Sequence, residues 1–165
     1  MSDVTFKING LDELEAKLKK LADPKRIRNA ARRSLRRGAN VVASAAKRNA
    51  GYIDDPKTRN SIQKNIAVRG GGTKRERRVG GAMMRVGIRG GARNMSKYGE
   101  FKGGGNANPG GDTFYWRFLE FGTSQIAARP FMRNAMAQSA DQAVAAIATA
   151  ANVELDKEIA KLNVS

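Results

Sequence analysis

Side chains able to do chemistry are few in this chain. Of its 165 residues none is histidine and none is cysteine. That removes the usual general base, the Ser-His-Asp constellation, thiolate nucleophiles and the imidazole and thiolate metal ligands. Carboxylates remain. Asp54 and Asp55 precede Pro56 in a polar turn with no further ligand nearby, so a solvated turn is the better reading than a metal site. Glu120 lies between Leu119 and Phe121, an odd place for a charge on a buried element. A catalytic carboxylate there would need a second acid or a basic partner at a working distance, and the spacing offers neither. The structural reading is stronger. Glu120 accepts hydrogen bonds from backbone near Gly122 and Thr123, or pairs with Arg129. Arg129 could equally point outward to a partner's carboxylate. No catalytic, cofactor-binding or metal-binding residue is assigned, so the expectation is a protein without a cofactor that is not an enzyme.

Positive charge is the dominant chemical signal. The chain has 31 Lys+Arg against 15 Asp+Glu, a net charge of +16. Such an excess favours nucleic acid, an anionic membrane surface or an acidic protein face. Nine basic residues fall between Pro24 and Asn49, among them Arg28, Arg32, Arg33, Arg36 and Arg37, with no acid before Asp54. Like charges four residues apart on a helix repel by a few tenths of a kcal/mol each, a cost that makes sense where the face meets phosphate or an acidic neighbour. A second basic cluster, Lys74, Arg75, Arg77 and Arg78, sits at the tip of an expected hairpin. These nine residues are the candidate contacts to DNA or to an acidic partner.

The elements that would position these charges follow from periodicity and punctuation. Val4, Phe6 and Ile8 alternate as in a half-buried strand, and Leu11, Leu14, Leu18 and Leu21 mark one face of a short helix. Asp23-Pro24 is a helix start, opening a long basic helix to about residue 49. Its apolar stripe is expected through Ile27, Ala31, Leu35, Val42 and Ala46, with Gly38 marking a bend or a close approach by another backbone. One helical turn near Ser61, a strand over residues 66–68 and a return strand from Met83 or Met84 to Ile88 follow. Residues 89–113 form a long glycine-rich loop without the Walker or dinucleotide spacing; a loop of that length is either disordered or functional. Residues 114–121 read as a further strand, with a helical turn through residues 117–120 as the alternative. Pro130 opens an alanine-rich terminal helix, with Phe131, Ala135, Val144, Ile147 and Ala148 inward and a break near Ala151 and Asn152. Its acidic end (Glu154, Asp156, Glu158) and the basic first half would suit head-to-tail contacts between subunits.

Most of the aromatic mass lies in residues 115–133, which suggests a core built on that segment. The run from Tyr115 through Phe118, Leu119, Glu120, Phe121, Gly122 and Thr123, then a short loop and Ala128, Arg129, Pro130 and Phe131, resembles the signature of the tail-completion, or head–tail joining, proteins of long-tailed phages. These are often labelled minor tail components. The whole chain follows that family's layout, except that the glycine-rich insertion is long for it.

The resemblance implies a single α+β domain over residues 1–165: a small antiparallel or mixed sheet of about four strands, packed by the long basic helix and the C-terminal Ala-rich helix. It implies a structural virion protein of the tail or neck, assembled in the host cytoplasm into a homo-oligomeric ring, taken as a hexamer. Such a ring would complete or join the tail and let DNA pass without sequence preference. Neighbouring tail-terminator, tail-tube or head-closure proteins would be its partners. The alternative is a sequence-independent nucleic-acid-binding protein using the basic helix over residues 24–50. The start of the chain has no secretory pattern, and no run of about 20 apolar residues is present, so no membrane partner is expected.

Overall fold

The computed structural model describes Glu15 and residues 23–54, 60–71, 74, 78, 81–89 and 109–162. Among these residues the order is helix α1 (Pro24–Gly51), a one-turn helix α2 (Ile62–Asn65), strands β1 (Ile66–Gly70) and β2 (Met84–Ile88), helix α3 (Trp116–Phe121) and helix α4 (Phe131–Leu162). The expected strand over residues 4–8 and nearly all of the first short helix lie outside the described residues. The chain divides into two compact units. One takes in Ala39–Arg69 and Arg85–Ala140; the other takes in α1 up to Gly38, residues Gly70–Met84 and α4 from Asp141.

The two long helices start and run as their residues dictate. The Asp23 carboxylate accepts from the Lys25 amide at 2.8 Å, capping α1 ahead of Pro24. Alanine-rich α4 contains neither glycine nor proline, and the break expected near Ala151 and Asn152 is absent. Asparagine alone disfavours a helix by only about 0.7 kcal/mol. The buried stripe of α1 is the expected one at Val42 and Ala46 and differs from it in the first half of the helix. It passes through Ala30, Ser34, Gly38, Val42, Ala46 and Ala50, while Ala31 and Leu35 are half-buried. Small residues four apart make a shallow row that lets another helix come close, and that row outweighs the bulk of Leu35. Ser34 Oγ donates to the Ala30 carbonyl at 3.0 Å, so its hydroxyl is satisfied within the helix.

In the unit containing Ala39–Arg69 and Arg85–Ala140, the core is Ala43, Ala45, Ala46, Ala50, Ile62, Ile66, Phe131 and Ala135. Val68, Val86, Ile88, Tyr115, Trp116 and Leu119 pack partly buried against it. Asn49 ties α1 to α4 here, its side-chain amide donating to the Phe131 carbonyl at 3.2 Å. The other unit has a smaller core of Ala30 and Leu155, flanked by Ile27 and Ile159. There a Cβ on Gly38 would come within 2.7 Å of the Ala143 carbonyl. This is the close backbone approach that the glycine predicts.

The sheet is two-stranded among the described residues; of the about four strands expected, the one over residues 4–8 lies outside them. Arg89 N donates to Asn65 O and Gly71 N to Met83 O, pairings that run in opposite senses and make β1 and β2 antiparallel. Residues 116–121, read first as strand with a helical turn over 117–120 as the alternative, are helical. Trp116, Leu119 and Glu120 turn inward while Arg117, Phe118 and Phe121 turn out, the three-and-four spacing of a helix. The alternation of Leu119, Glu120 and Phe121 imitates a strand only locally.

Asn65 is fully buried at the base of the glycine-rich segment. Its side chain donates to Gly111 O and Thr113 Oγ1, both at 2.9 Å, and accepts from Gly110 N at 2.7 Å. Its carbonyl accepts from Arg89 N at 2.8 Å. Both ends of the segment therefore meet at one residue. Gly110 has to be glycine there, because a Cβ would collide with the Ser61 carbonyl.

Candidate functional site

Two regions carry the charges and rings singled out above, one in each unit. The first is the turn between α3 and α4. Glu120 is 2% exposed. Its carboxylate accepts from Met132 N at 2.9 Å and Arg133 N at 3.0 Å, two of the unpaired donors at the start of α4. The Arg133 side chain completes the arrangement, Nε donating to the carboxylate at 3.3 Å and Nη2 to the Glu120 carbonyl at 2.7 Å. The expected partners, the amides of Gly122 and Thr123 and the Arg129 side chain, are not the ones observed. Gly122 N closes α3 on Phe118 O, Thr123 N reaches Ile126 O, and exposed Arg129 gives its amide to Leu119 O. The carboxylate is aimed at a helix start, where the dipole and open amides favour an anion.

The rest of the turn explains the residue types of the signature. Gly122 has φ +74° and ψ 176°, a region almost confined to glycine. Thr123 Oγ1 accepts from Gln125 N at 3.2 Å and Ile126 N at 3.0 Å, closing the loop that leads to exposed Ala128. Pro130 then precedes α4 and Phe131 enters the core at 2% exposure. The aromatic segment is only partly a core. Phe114, Phe118 and Phe121 are exposed, with Phe114 edge-on to Phe118 at 6.4 Å. The Arg133 guanidinium sits 5.5 Å from the Phe121 ring centroid. Tyr115 turns the other way, its hydroxyl donating to Asp54 at 3.2 Å. Asp55 lies outside the described residues.

The second region is the basic face of α1, in the other unit. Asn29, Arg32, Arg33 and Arg36 form one wall of an open groove of about 580 Å³, opposite Gly70, Gly71 and Met84. Arg28 and Arg37 are exposed outside it, as are Lys74 and Arg78; Arg75 and Arg77 lie outside the described residues. Arg33 departs from the expectation of an outward contact. Its Nε pairs with Glu154 and its Nη2 with Glu158 at 2.7 Å. Those acids, one helical turn apart on α4, also meet Lys157 at 3.4 Å and Lys161 at 3.0 Å. The Arg33 hydrogen bond, against the opposing effect of burial, holds Glu154 below the ordinary glutamate value. Lys161 and then Arg33 do the same for Glu158. Glu154 and Glu158, two of the three acids expected to meet a neighbouring subunit, are thus engaged within the chain.

Sequence reasoning missed Asn65, the Arg133 partner of Glu120 and three arginines on the sheet. Arg69, Arg85 and Arg89 line a second groove of about 350 Å³. Its signal was present: placing Val86 and Ile88 on one face of β2 puts Arg85 and Arg89 on the other. Among the described residues no cluster of three metal-ligating side chains occurs, and no helix is long and apolar enough to cross a membrane.

Residues 12–122 match the model of a protein family described as "Bacteriophage HK97-gp10, putative tail-component". The match takes in α1, the sheet and α3 through Gly122. No curated protein and no solved structure matches the chain.

Proposed function

The chain belongs to the HK97-gp10-like family of phage tail components, and from that premise we propose a head–tail joining or tail-completion role carried out by assembly, without catalysis. The family match carries this reading. In it, copies form a ring, taken as sixfold, at the junction of tail and head, beside tail-terminator, tail-tube or head-closure proteins. DNA passes through, and part of the arginine set gives a diffuse positive field that holds the duplex yet lets it slide. Assembly takes place in the host cytoplasm and the product is a virion protein of the tail or neck.

Exposed Phe114, Phe118 and Phe121 support the reading, because large rings left in water are the usual anchors of protein contacts. The test is the protein's presence and stoichiometry in purified particles, together with its mass alone in solution. A fixed number of copies per tail and a discrete ring on assembly is the expected result. Absence from particles overturns the reading. The arginine groove favours a second reading, a sequence-independent nucleic-acid binder. Tight duplex binding by a protein missing from particles would select it.

A further inference from the structure

The outer face of the sheet carries two arginines set directly against each other. The bond from Arg89 N to Asn65 O places those two residues opposite in the antiparallel pair, so Ala67 stands opposite Gly87 and Arg69 opposite Arg85. Residues two apart on a strand share a face of the sheet. Val68, Val86 and Ile88 pack against the core, which turns Ala67, Arg69, Arg85 and Gly87 to the other side. Like charges directly opposite on a sheet are destabilising, yet both arginines are exposed and no carboxylate lines the groove they border. Next to the pair the floor is low. A Cβ added to Gly87 would meet nothing within 4 Å, and Ala67 contributes a single methyl group. Two cations beside about 350 Å³ of open space make a seat for an anion. Arg89 lines the far end of the groove but has an interaction of its own, and it is not counted.

The geometry points to a phosphate clamp: Arg69 and Arg85 close from either side on one phosphate of a nucleic-acid backbone, which seats over Gly87 and Ala67. Side chains rising from Cα atoms about 5.5 Å apart can turn their guanidinium forks to the same tetrahedral anion, and arginine matches phosphate oxygens two at a time. The floor favours a nucleic-acid backbone over an acidic protein. Protein contacts are organised around apolar anchors, and Ala67 and Gly87 offer none. The exposed rings of Phe114, Phe118 and Phe121 stand outside this groove. Contacts to a nucleic-acid backbone need only cations and polar hydrogen-bond donors. The clamp rests on the reading in which DNA passes this protein, and gives the diffuse positive field one defined contact per copy.

The experiment is a salt titration of the full-length protein binding a labelled random-sequence DNA duplex. Each phosphate neutralised contributes about 0.9 to the slope of log K against log salt. Arg69→Gln/Arg85→Gln should flatten the slope by about 0.9, one phosphate for the pair. Arg69→Lys/Arg85→Lys keeps the charge but loses the forks, and should hold the slope while weakening binding about five-fold. Gly87→Val fills the floor with a residue suited to a strand and leaves the charge unchanged; it should also flatten the slope by about 0.9. A lysine pair or a valine variant that binds as tightly as the wild type overturns the proposal, because charge alone would then suffice. An unchanged slope in the glutamine pair overturns it too. So does a polyglutamate probe whose binding falls as far as the duplex's in the lysine pair, which would make the partner an acidic protein. Circular dichroism melts check the folding of each variant. If Gly87→Val does not fold, the lysine pair, which alters only exposed side chains, decides. Copies per particle are counted separately. Binding as stated by a protein absent from virions overturns the tail reading alone, and a virion protein whose variants bind duplex as the wild type does overturns the clamp alone.

Discussion

Glu120 and the Glu154–Glu158 pair are both carboxylate sites served by arginine, yet they do opposite kinds of work. Glu120 is buried and gives its oxygens to two backbone amides, with Arg133 adding a third contact from 60% exposed solvent-side position. The whole arrangement lies within 13 residues of sequence. The other pair reaches across 121 and 125 residues to Arg33, whose side chain is 46% exposed. One carboxylate fixes the direction in which a helix leaves a turn. The other two neutralise a charge on a surface otherwise crowded with its own kind. Glu158 is itself only 5% exposed, so backbone partners, rather than burial, separate the acid that shapes the turn from the acids that pair with side-chain cations.

Breaking the buried member should have the largest effect. Glu120→Ala leaves two helix-start amides without their acceptor and is expected to cost about 3 kcal/mol, read from urea unfolding. Glu120→Asp should recover only part of that, because the shorter side chain cannot reach both amides. Next comes Gly122→Ala. A Cβ there would stand 3.0 Å from the Ile126 carbonyl and the Ala128 amide, with φ at +74°, and about 1–3 kcal/mol of stability should be lost.

The Glu154–Glu158 pair should respond to both pH and mutation. The folded values of Glu154 and Glu158 lie below the ordinary 4.5, so their contribution is complete above that pH and is lost as pH falls through the depressed values. Glu154→Gln/Glu158→Gln should flatten that acid limb of a thermal-melt profile, lowering the melting temperature at neutral pH, where the pair's contribution is complete, and changing little at low pH, where the carboxylates are already protonated. The smallest effect belongs to Phe121→Ala. Its ring is 65% exposed, so stability should move by less than about 0.5 kcal/mol while incorporation into particles drops. A large loss of stability would mean the ring is packed, and would blur the contrast between an acid that shapes the turn and rings left free for neighbours.

How much of this was readable in advance depended on the range of the interaction. The start of α1 at Asp23-Pro24, both sheet strands, the opening of α4 after Pro130 and the phage tail-component family all follow from local signals. A structural role for Glu120 was legible too, but its partners were misplaced. The eye stops at Gly122 and Thr123, whereas the helix start ten residues on offers stronger donors. Residues 116–121 were misread because the apolar residues either side of Glu120 imitate a strand over three positions, too short a run to separate a period of 2 from 3.6. The first half of the α1 stripe shifted by one residue, from Ala31 and Leu35 to Ala30 and Ser34, because propensity and bulk do not report which row of small side chains another helix will choose. The Arg33 clasp left no local trace at all. Nothing near residue 33 announces acids more than a hundred positions away.

Asn65 has a consequence for how such a chain can change over time. By gathering Arg89 at its backbone carbonyl and Gly110, Gly111 and Thr113 at its side chain, this one buried residue fastens the departure and the return of the glycine-rich segment to the same point. The body of the protein then registers where that segment leaves and arrives, and is nearly indifferent to how many residues lie between. Doubling the length of a closed loop costs only about 0.6 kcal/mol. Insertions and deletions there are cheap to sample, so the segment is free to drift in size and composition to match whatever neighbour it meets, while the scaffold that holds its ends stays the same.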